Sequence, residues 1–119
     1  MMIRTGTDIV EVDRVRKIIN LYGNKFLLKI FTKSEIIYCN SQIDPAIHFA
    51  GRFSAKESIK KALSKEFRIS TLKFNKLSIL NDVNGRPFLD TDLFPISNLD
   101  ISISHTKTHA ISVAILSYA

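Results

Sequence analysis

The chain opens with Ile3, Thr5, Thr7 and Ile9 on one face of a β-branched stretch, the period-2 pattern of a strand over residues 3–9, with Asp8 at its end. From Val12 the period lengthens. Val12, Val15, Ile19 and Tyr22 fall three, four and three apart and form one stripe of a helix that Gly23 stops, while Arg14, Arg16 and Lys17 lie off the stripe. A short apolar segment, residues 26–31, leads to Thr32-Lys33-Ser34-Glu35. There the threonine can accept from the Glu35 amide while the glutamate reaches back, which predicts a capped helix to about Asn40. Asp44-Pro45 sets a capping residue before a proline at the first position of the next helix, which runs to about residue 64. Ala46, Ala50, Phe53, Glu57 and Lys61 follow one another along it at steps of three or four, so a carboxylate falls in line with an apolar stripe. Residues 72–81 and 87–89 read as strands joined through Asn84-Gly85, a pair that type I′ turns favour because both residues tolerate positive φ. Leu99, Ile101 and Ile103 alternate with Asp100, Ser102 and Ser104; His105-Thr106-Lys107-Thr108 breaks the pattern, and Ala110 to Leu116 resumes it as a second antiparallel hairpin. The expected architecture is α+β, an antiparallel sheet with a long helix packed on it, in a single domain over residues 1–119.

Composition narrows the class. With 45% apolar residues, four Gly and three Pro, the chain is neither disordered nor a low-complexity repeat. Its one cysteine, Cys39, permits no internal disulfide, which favours the cytoplasm. No run approaches the ~18 apolar residues of a membrane span, and acids interrupt the N-terminal stretch, so a soluble, untargeted protein with no membrane partner is expected. The net charge of +6 implies an anionic partner. That excess sits in two blocks, residues 1–33 (+4) and 51–76 (+6), and both are interleaved with helical apolar spacing, so the charges decorate folded helices and do not form a nucleic-acid tail.

Asp8 and Glu57 are the acids to weigh as a pair. Mg²⁺ takes one or two protein carboxylates and fills its other positions with water and phosphate oxygens, so two carboxylates among many cations suit a magnesium diphosphate site. The plainer reading makes Asp8 a polar strand end and Glu57 an i,i+4 partner of Lys61, worth a few tenths of a kcal/mol. Arg52, Lys56, Lys60 and Lys61 surround Glu57 in the sequence, either to grip phosphates or as a solvated helical face. Ser104-His105-Thr106 puts two hydroxyls and an imidazole at a turn, for phosphate binding, proton transfer or capping. No glycine-flanked nucleophile serine, phosphate-binding glycine loop or dinucleotide fingerprint occurs, and Cys39, His48, His105 and His109 lack zinc spacing. On the residues alone a small basic nucleic-acid-binding module and a metal-dependent phosphodiesterase stay open, although the first lacks a paired-aromatic strand motif and a zinc pattern.

Four segments together, TGTDIVEVDRV (5–15), GRFSAKESIKKAL (51–63), NGRPF (84–88) and ISISHT (101–106), resemble the holo-(acyl-carrier-protein) synthases, the small 4′-phosphopantetheinyl transferases. The likeness spans essentially the whole chain and is most specific at Phe53-Ser54-Ala55-Lys56-Glu57-Ser58 with Lys61. It implies the fold of those transferases and a Mg²⁺-dependent transfer of 4′-phosphopantetheine from coenzyme A to a serine of apo acyl carrier protein in fatty acid biosynthesis. Adenosine 3′,5′-bisphosphate is the other product, and nucleic acid is not a partner. By resemblance, Asp8 and Glu57 match the magnesium ligands, Lys61 the lysine beside the diphosphate, and His105 the histidine that a neighbouring subunit lends to the coenzyme A nucleotide. Arg52 and the Gly85-Arg86-Pro87 turn are looser nucleotide contacts, and a homotrimer with sites between subunits is implied. Glu57, directly or through a metal-bound water, is the expected base for the serine. Arg14 and Lys17, off the first helix's apolar stripe, are the expected docking residues for an acidic carrier protein. Where many of those synthases carry glycines after the lysine, this chain has Ser64-Lys65-Glu66-Phe67-Arg68.

Overall fold

A computed structural model describes residues 2–63, 72–93 and 98–118; the Ser64–Arg68 departure lies outside them. Strand β1 (Met2–Glu11) leads into α1 (Val12–Tyr22), α2 (Asn24–Ile30), α3 (Lys33–Asn40) and the long α4 (Pro45–Leu63). A single 3-10 turn (Phe74–Lys76) precedes β2 (Ser78–Asn81) and β3 (Pro87–Asp90), and β4 (Leu99–His105) and β5 (His109–Tyr118) close the chain. The strands form an antiparallel three-stranded sheet in the order β1-β5-β4 and a separate β2-β3 hairpin. Helix α4 lies across the sheet as the sequence predicts, its early turns over β4 and its later turns over β1.

Local signals account for most of these elements. Thr32 and Glu35 complete the capping box, with Thr32 N–H donating to Glu35 Oε1 at 2.8 Å and Glu35 N–H to Thr32 Oγ1 at 3.3 Å. Gly23 closes α1 at φ 53°. Helix α4 presses on the sheet at two glycines: a Cβ on Gly6 would stand 1.9 Å from the Ser58 carbonyl oxygen, and one on Gly51 would stand 3.1 Å from Ile103 Cγ2. At that contact Ser112 Oγ meets Ser54 Oγ at 2.7 Å and Ser58 Oγ at 2.5 Å, and Ser54 also donates to the Asp8 carbonyl, so the buried hydroxyls satisfy one another. One apolar core (Ile59, Leu63, Leu77, Ile79, Ile101, Leu116) fills the side towards the small hairpin, and a second (Val12, Val15, Phe31, Cys39, Phe49, Ala110) the side under α1 to α3.

Several expectations change. Asp8 sits within β1, opposite Ser112, because the strand continues to Glu11. The Ile3/Thr5/Thr7/Ile9 face points away from α4 and is open, with Ile3 54% and Ile9 64% exposed, while Gly6 on the other face is buried. Tyr22, counted on the α1 stripe, is 60% exposed. Residues 24–30 form a short helix where only an apolar segment was expected, and the strand expected from residue 72 begins at Ser78, after the 3-10 turn. The Asn84-Gly85 hairpin forms without a type I′ turn: Gly85 alone has positive φ there (82°), and its N–H donates to Asp82 O. Asp82 Oδ1 draws in the amides of Asn84 and Arg86, each at 2.9 Å, and this side-chain bridge holds the loop in a wider turn. Lys56, expected among surface cations, is wholly buried. Its Nζ donates to Glu35 Oε1 at 2.5 Å and to the carbonyls of Ile30 and Phe74, tying α2, α3 and the 3-10 turn to α4.

Candidate functional site

Alternation along β1 turns Asp8 to the same side as Gly6, and the close approach at Gly6 brings the later turns of α4 over the strand. Glu57 therefore meets Asp8 in one cleft of about 390 Å³, walled by the Val10–Glu11 stretch, Arg14 and Val15 of α1, Phe26 and Phe53, with His109 at its rim. One turn beyond Glu57, Lys61 bends to the strand: its Nζ donates to the Thr7 carbonyl at 2.7 Å and stands 3.5 Å from Asp8 Oδ1. Asp8 is mostly buried, and its other oxygen, Oδ2, has no hydrogen-bond partner. An unpaired buried carboxylate oxygen beside a second carboxylate is a seat for a cation. Among the described residues no three His, Cys, Asp or Glu side chains gather as a metal cluster. Two carboxylates nevertheless suit Mg²⁺, which draws its remaining ligands from water and phosphate.

The other predicted phosphate contacts lie elsewhere. Arg52 is 6% exposed and faces a cavity of about 280 Å³ whose walls also include Tyr38, His48, Gly85, Pro87 and His105. Its guanidinium lies 4.3 Å from the centre of the Tyr38 ring. This cavity is at the β4 edge of the sheet, whereas Asp8 is on the β1 edge with β5 between them, a strand separation of about 10 Å. The helix cations expected around Glu57 are thus dispersed: Arg52 goes to the second cavity, Lys56 to the core, and Lys61 alone is seen to reach Asp8. Gly85 and Pro87 line the second cavity; Arg86 is exposed and is not in its wall. Tyr38 and His48 are functional candidates that the motif reading passed over, though the four-residue step from His48 to Arg52 on one helix was a usable signal.

Arg14 and Lys17 are both exposed on α1, and Arg14 also walls the Asp8 cleft. Arg16 is committed elsewhere, paired to Asp44 through two bonds of 2.9 and 3.0 Å, and this contact holds the Asp44 carboxyl below its usual range. Leu21 and Tyr22 extend the exposed surface, and a groove between Ile18, Tyr22 and Phe26 carries Lys25 and Lys29 on its sides. Cys39 is fully buried, and burial pushes its thiol up to about 12, so it is no nucleophile. Among the described residues no helix is long and apolar enough to cross a membrane.

The family model of the 4′-phosphopantetheinyl transferase superfamily matches residues 4–114. A holo-(acyl-carrier-protein) synthase of Protochlamydia amoebophila is 42% identical, over 98% of this chain and 99% of that relative. Among solved structures, a holo-(acyl-carrier-protein) synthase from Bacillus anthracis in complex with CoA (3′,5′-ADP) superposes with a TM-score of 0.79 at 32% identity, covering 98% of this chain and 97% of the other. The Helicobacter pylori holo-(acyl-carrier-protein) synthase in complex with coenzyme A gives 0.80 at 30% identity, with 95% and 99% covered.

Proposed function

The chain belongs to the 4′-phosphopantetheinyl transferase superfamily, and from that premise we propose that it moves 4′-phosphopantetheine from coenzyme A to a serine of apo acyl carrier protein. Adenosine 3′,5′-bisphosphate leaves. The observation that carries this reading is the cleft in which the unpartnered Oδ2 of Asp8 lies with Glu57, under Lys61. Asp8 and Glu57 would hold Mg²⁺, which supplies, when bound, neutralisation of charge across the diphosphate oxygens. Lys61, drawn to the strand by the Thr7 carbonyl, keeps its ammonium beside the diphosphate and protonates the departing phosphate. Glu57 takes the proton of the incoming serine hydroxyl, which is too weak an acid to lose it unaided. One compact domain, residues 1–119, carries these groups, and the single buried Cys39 suits a reducing cytoplasm.

The reaction needs both cavities, and one copy holds them at opposite sheet edges. The open face between those edges, Ile3, Thr5, Thr7 and Ile9 of β1 with Ile111, Val113 and Ile115 of β5, is a largely apolar, β-branched surface that one copy leaves bare. We read it as the surface on which copies assemble into a homotrimer, so that the Asp8 cleft of one copy is completed by the Arg52, Pro87 and His105 cavity of the next. Arg14, which walls the cleft, and Lys17, one turn further along the exposed side of α1, receive the acidic carrier protein. Incubating the protein with coenzyme A, Mg²⁺ and apo carrier protein and weighing the carrier tests the function: a gain of one phosphopantetheine supports it, and an unchanged mass refutes it.

A further inference from the structure

Three serines lie where α4 crosses β1 and β5. Ser54 and Ser58 stand one turn apart on the sheet-facing side of α4, Ser112 projects from β5 directly opposite Asp8, and all three are buried. Their hydroxyls form one line: Ser58 to Ser112 at 2.5 Å, Ser112 to Ser54 at 2.7 Å, and Ser54 to the Asp8 carbonyl at 3.1 Å. The far end fixes the direction of every bond. A carbonyl oxygen only accepts, so Ser54 gives its one proton to Asp8; Ser112 must then donate to Ser54, and Ser58 to Ser112. A serine inside a helix ordinarily turns its hydroxyl to solvent or to the carbonyl four residues back, whereas both of these cross to the strands. Alanine, already present at Ala50, Ala55 and Ala62 of the same helix, is the stronger helix former and would fill either place with no hydroxyl to satisfy. What the serines add is a tie to Asp8.

We propose that Ser54, held by Ser112, is a positioning residue: it fixes the Asp8 backbone against α4, and with it the gap between the Asp8 and Glu57 carboxylates, so that the cleft favours Mg²⁺ over larger divalent cations. The inference rests on the reading of Asp8 and Glu57 as the magnesium seat, which the buried, unpartnered Oδ2 of Asp8 supports. Those two carboxylates stand on different elements, β1 and α4, so the packing of strand on helix sets their separation. Gly6 gives the lower limit, because the space between it and the Ser58 carbonyl does not admit even a Cβ. The hydroxyl line gives the upper limit. It acts at Asp8 itself, two residues beyond Gly6, and grips α4 at Ser54 and Ser58, on either side of Glu57. Selection between divalent cations depends on gap and rigidity. Mg²⁺ demands near-ideal octahedral geometry at about 2.0–2.1 Å from its oxygens, whereas Ca²⁺ accepts about 2.3–2.6 Å and an irregular, flexible shell. A gap bounded from both sides suits the smaller ion, and loosening it harms Mg²⁺ more than Ca²⁺. The direction of the bonds gives the serines unequal weight. Ser54 is the member that touches Asp8, while Ser58 heads the line, and its loss leaves the bonds from Ser112 to Ser54 and from Ser54 to Asp8 whole.

The test reads metal binding on the intact protein, through the paramagnetic resonance of bound Mn²⁺ and its displacement by Mg²⁺ or by Ca²⁺. Asp8→Asn identifies the part of the signal that belongs to the cleft. Ser54→Ala is expected to weaken Mg²⁺ by about tenfold, the lower end of what losing an outer hydrogen-bond partner does to a metal site, with Ca²⁺ little changed, so the preference for Mg²⁺ falls by about the same factor. Ser58→Ala, an equal truncation one turn away on the same buried face, is expected to keep the wild-type preference. Packing alone predicts like effects from both. Should the stranded Ser112 hydroxyl unfold Ser54→Ala, the triple variant Ser54→Ala/Ser58→Ala/Ser112→Ala removes all three hydroxyls at once and is expected to show the same loss of preference. A wild-type ratio of Mg²⁺ to Ca²⁺ affinity in the folded Ser54→Ala or triple variant, or an equal fall in Ser58→Ala, overturns the positioning role and leaves the metal seat standing. A wild type without any Mn²⁺ signal that Asp8→Asn removes refutes the metal seat and the positioning role together.

Discussion

Gly6→Ala is a one-carbon test of how the fold positions the cleft. Gly6 is not among the glycines with positive φ, so alanine suits its backbone, and in open space the exchange would stabilise by about 0.4–1 kcal/mol through the unfolded chain. Space is what it lacks. The new Cβ would lie 1.9 Å from Ser58 O, 2.8 Å from Ser58 C and 3.0 Å from Ala62 N, all backbone atoms of α4. No rotamer relieves that clash, so β1 and α4 must part by about 1 Å to bring the first contact to 3.0 Å. Overpacking of this kind costs about 1–3 kcal/mol, or more where backbone meets backbone. Thermal unfolding should show a loss of roughly 4 °C or more for each kcal/mol. Asp8 is two residues along on the same face, and Lys61 is anchored to Thr7, so the shift also separates Asp8 from the α4 side chains. Displacement on that scale lowers turnover by about 100-fold, measured on protein still folded at the assay temperature. Gly51→Ala, whose Cβ would meet only the Ile103 side chain at 3.1 Å, should cost far less. A Gly6→Ala variant with wild-type melting temperature and turnover would refute the packing argument.

Removing the carboxylate with Glu57→Gln should lower turnover at saturating Mg²⁺ by about 10²–10⁴-fold, read by single-turnover transfer to carrier protein, and normal turnover would take Glu57 out of both its proposed roles. Arg14→Glu should raise the KM for carrier protein and leave that for coenzyme A nearly unchanged; equal changes in both would exclude docking there. Glu35→Gln strands the buried Lys56 ammonium, so urea unfolding should show about 3–5 kcal/mol of lost stability, and a loss below ~1 kcal/mol would mean the pair is dispensable. Cys39, buried with its thiol pushed up to about 12, should resist a thiol reagent at pH 8 until the protein unfolds, whereas rapid labelling of native protein would contradict its placement.

Features governed by near neighbours were legible in the chain. Thr32 and Glu35 cap α3 as their spacing requires, and Pro45 starts α4. The features that escaped depend on distant packing. Alternation in β1 marks two faces but does not say which is buried; the choice falls on Gly6 because only a residue without a side chain admits Ser58. Lys56 looks like a surface cation because lysine usually is one, and only the convergence of Glu35 and two helix-end carbonyls makes its burial tolerable. Helix α4 is buried around much of its circumference, so its charges cannot be sorted by periodicity, and Arg52 and Glu57 end in different cavities. Residues 24–30 make too short a helix to show a period. Asp8, Glu57 and Lys61 sit in two of the segments that carry the family likeness, whereas Tyr38 and His48 belong to no quoted segment and needed the fold to bring them to Arg52.

The central claim is that phosphopantetheine transfer occurs at a site made by two copies, and subunit complementation tests it directly. Glu57→Gln disables the cleft of its own copy, and a variant combining Arg52→Gln with His105→Ala disables the opposite cavity. Each alone should be nearly inactive. Mixed under conditions that exchange subunits, they should restore transfer to carrier protein at roughly a quarter of the sites, the share in which head-to-tail pairing joins two intact halves. A mixture no more active than its parents, when subunit exchange has been verified by mass, would contradict the shared site.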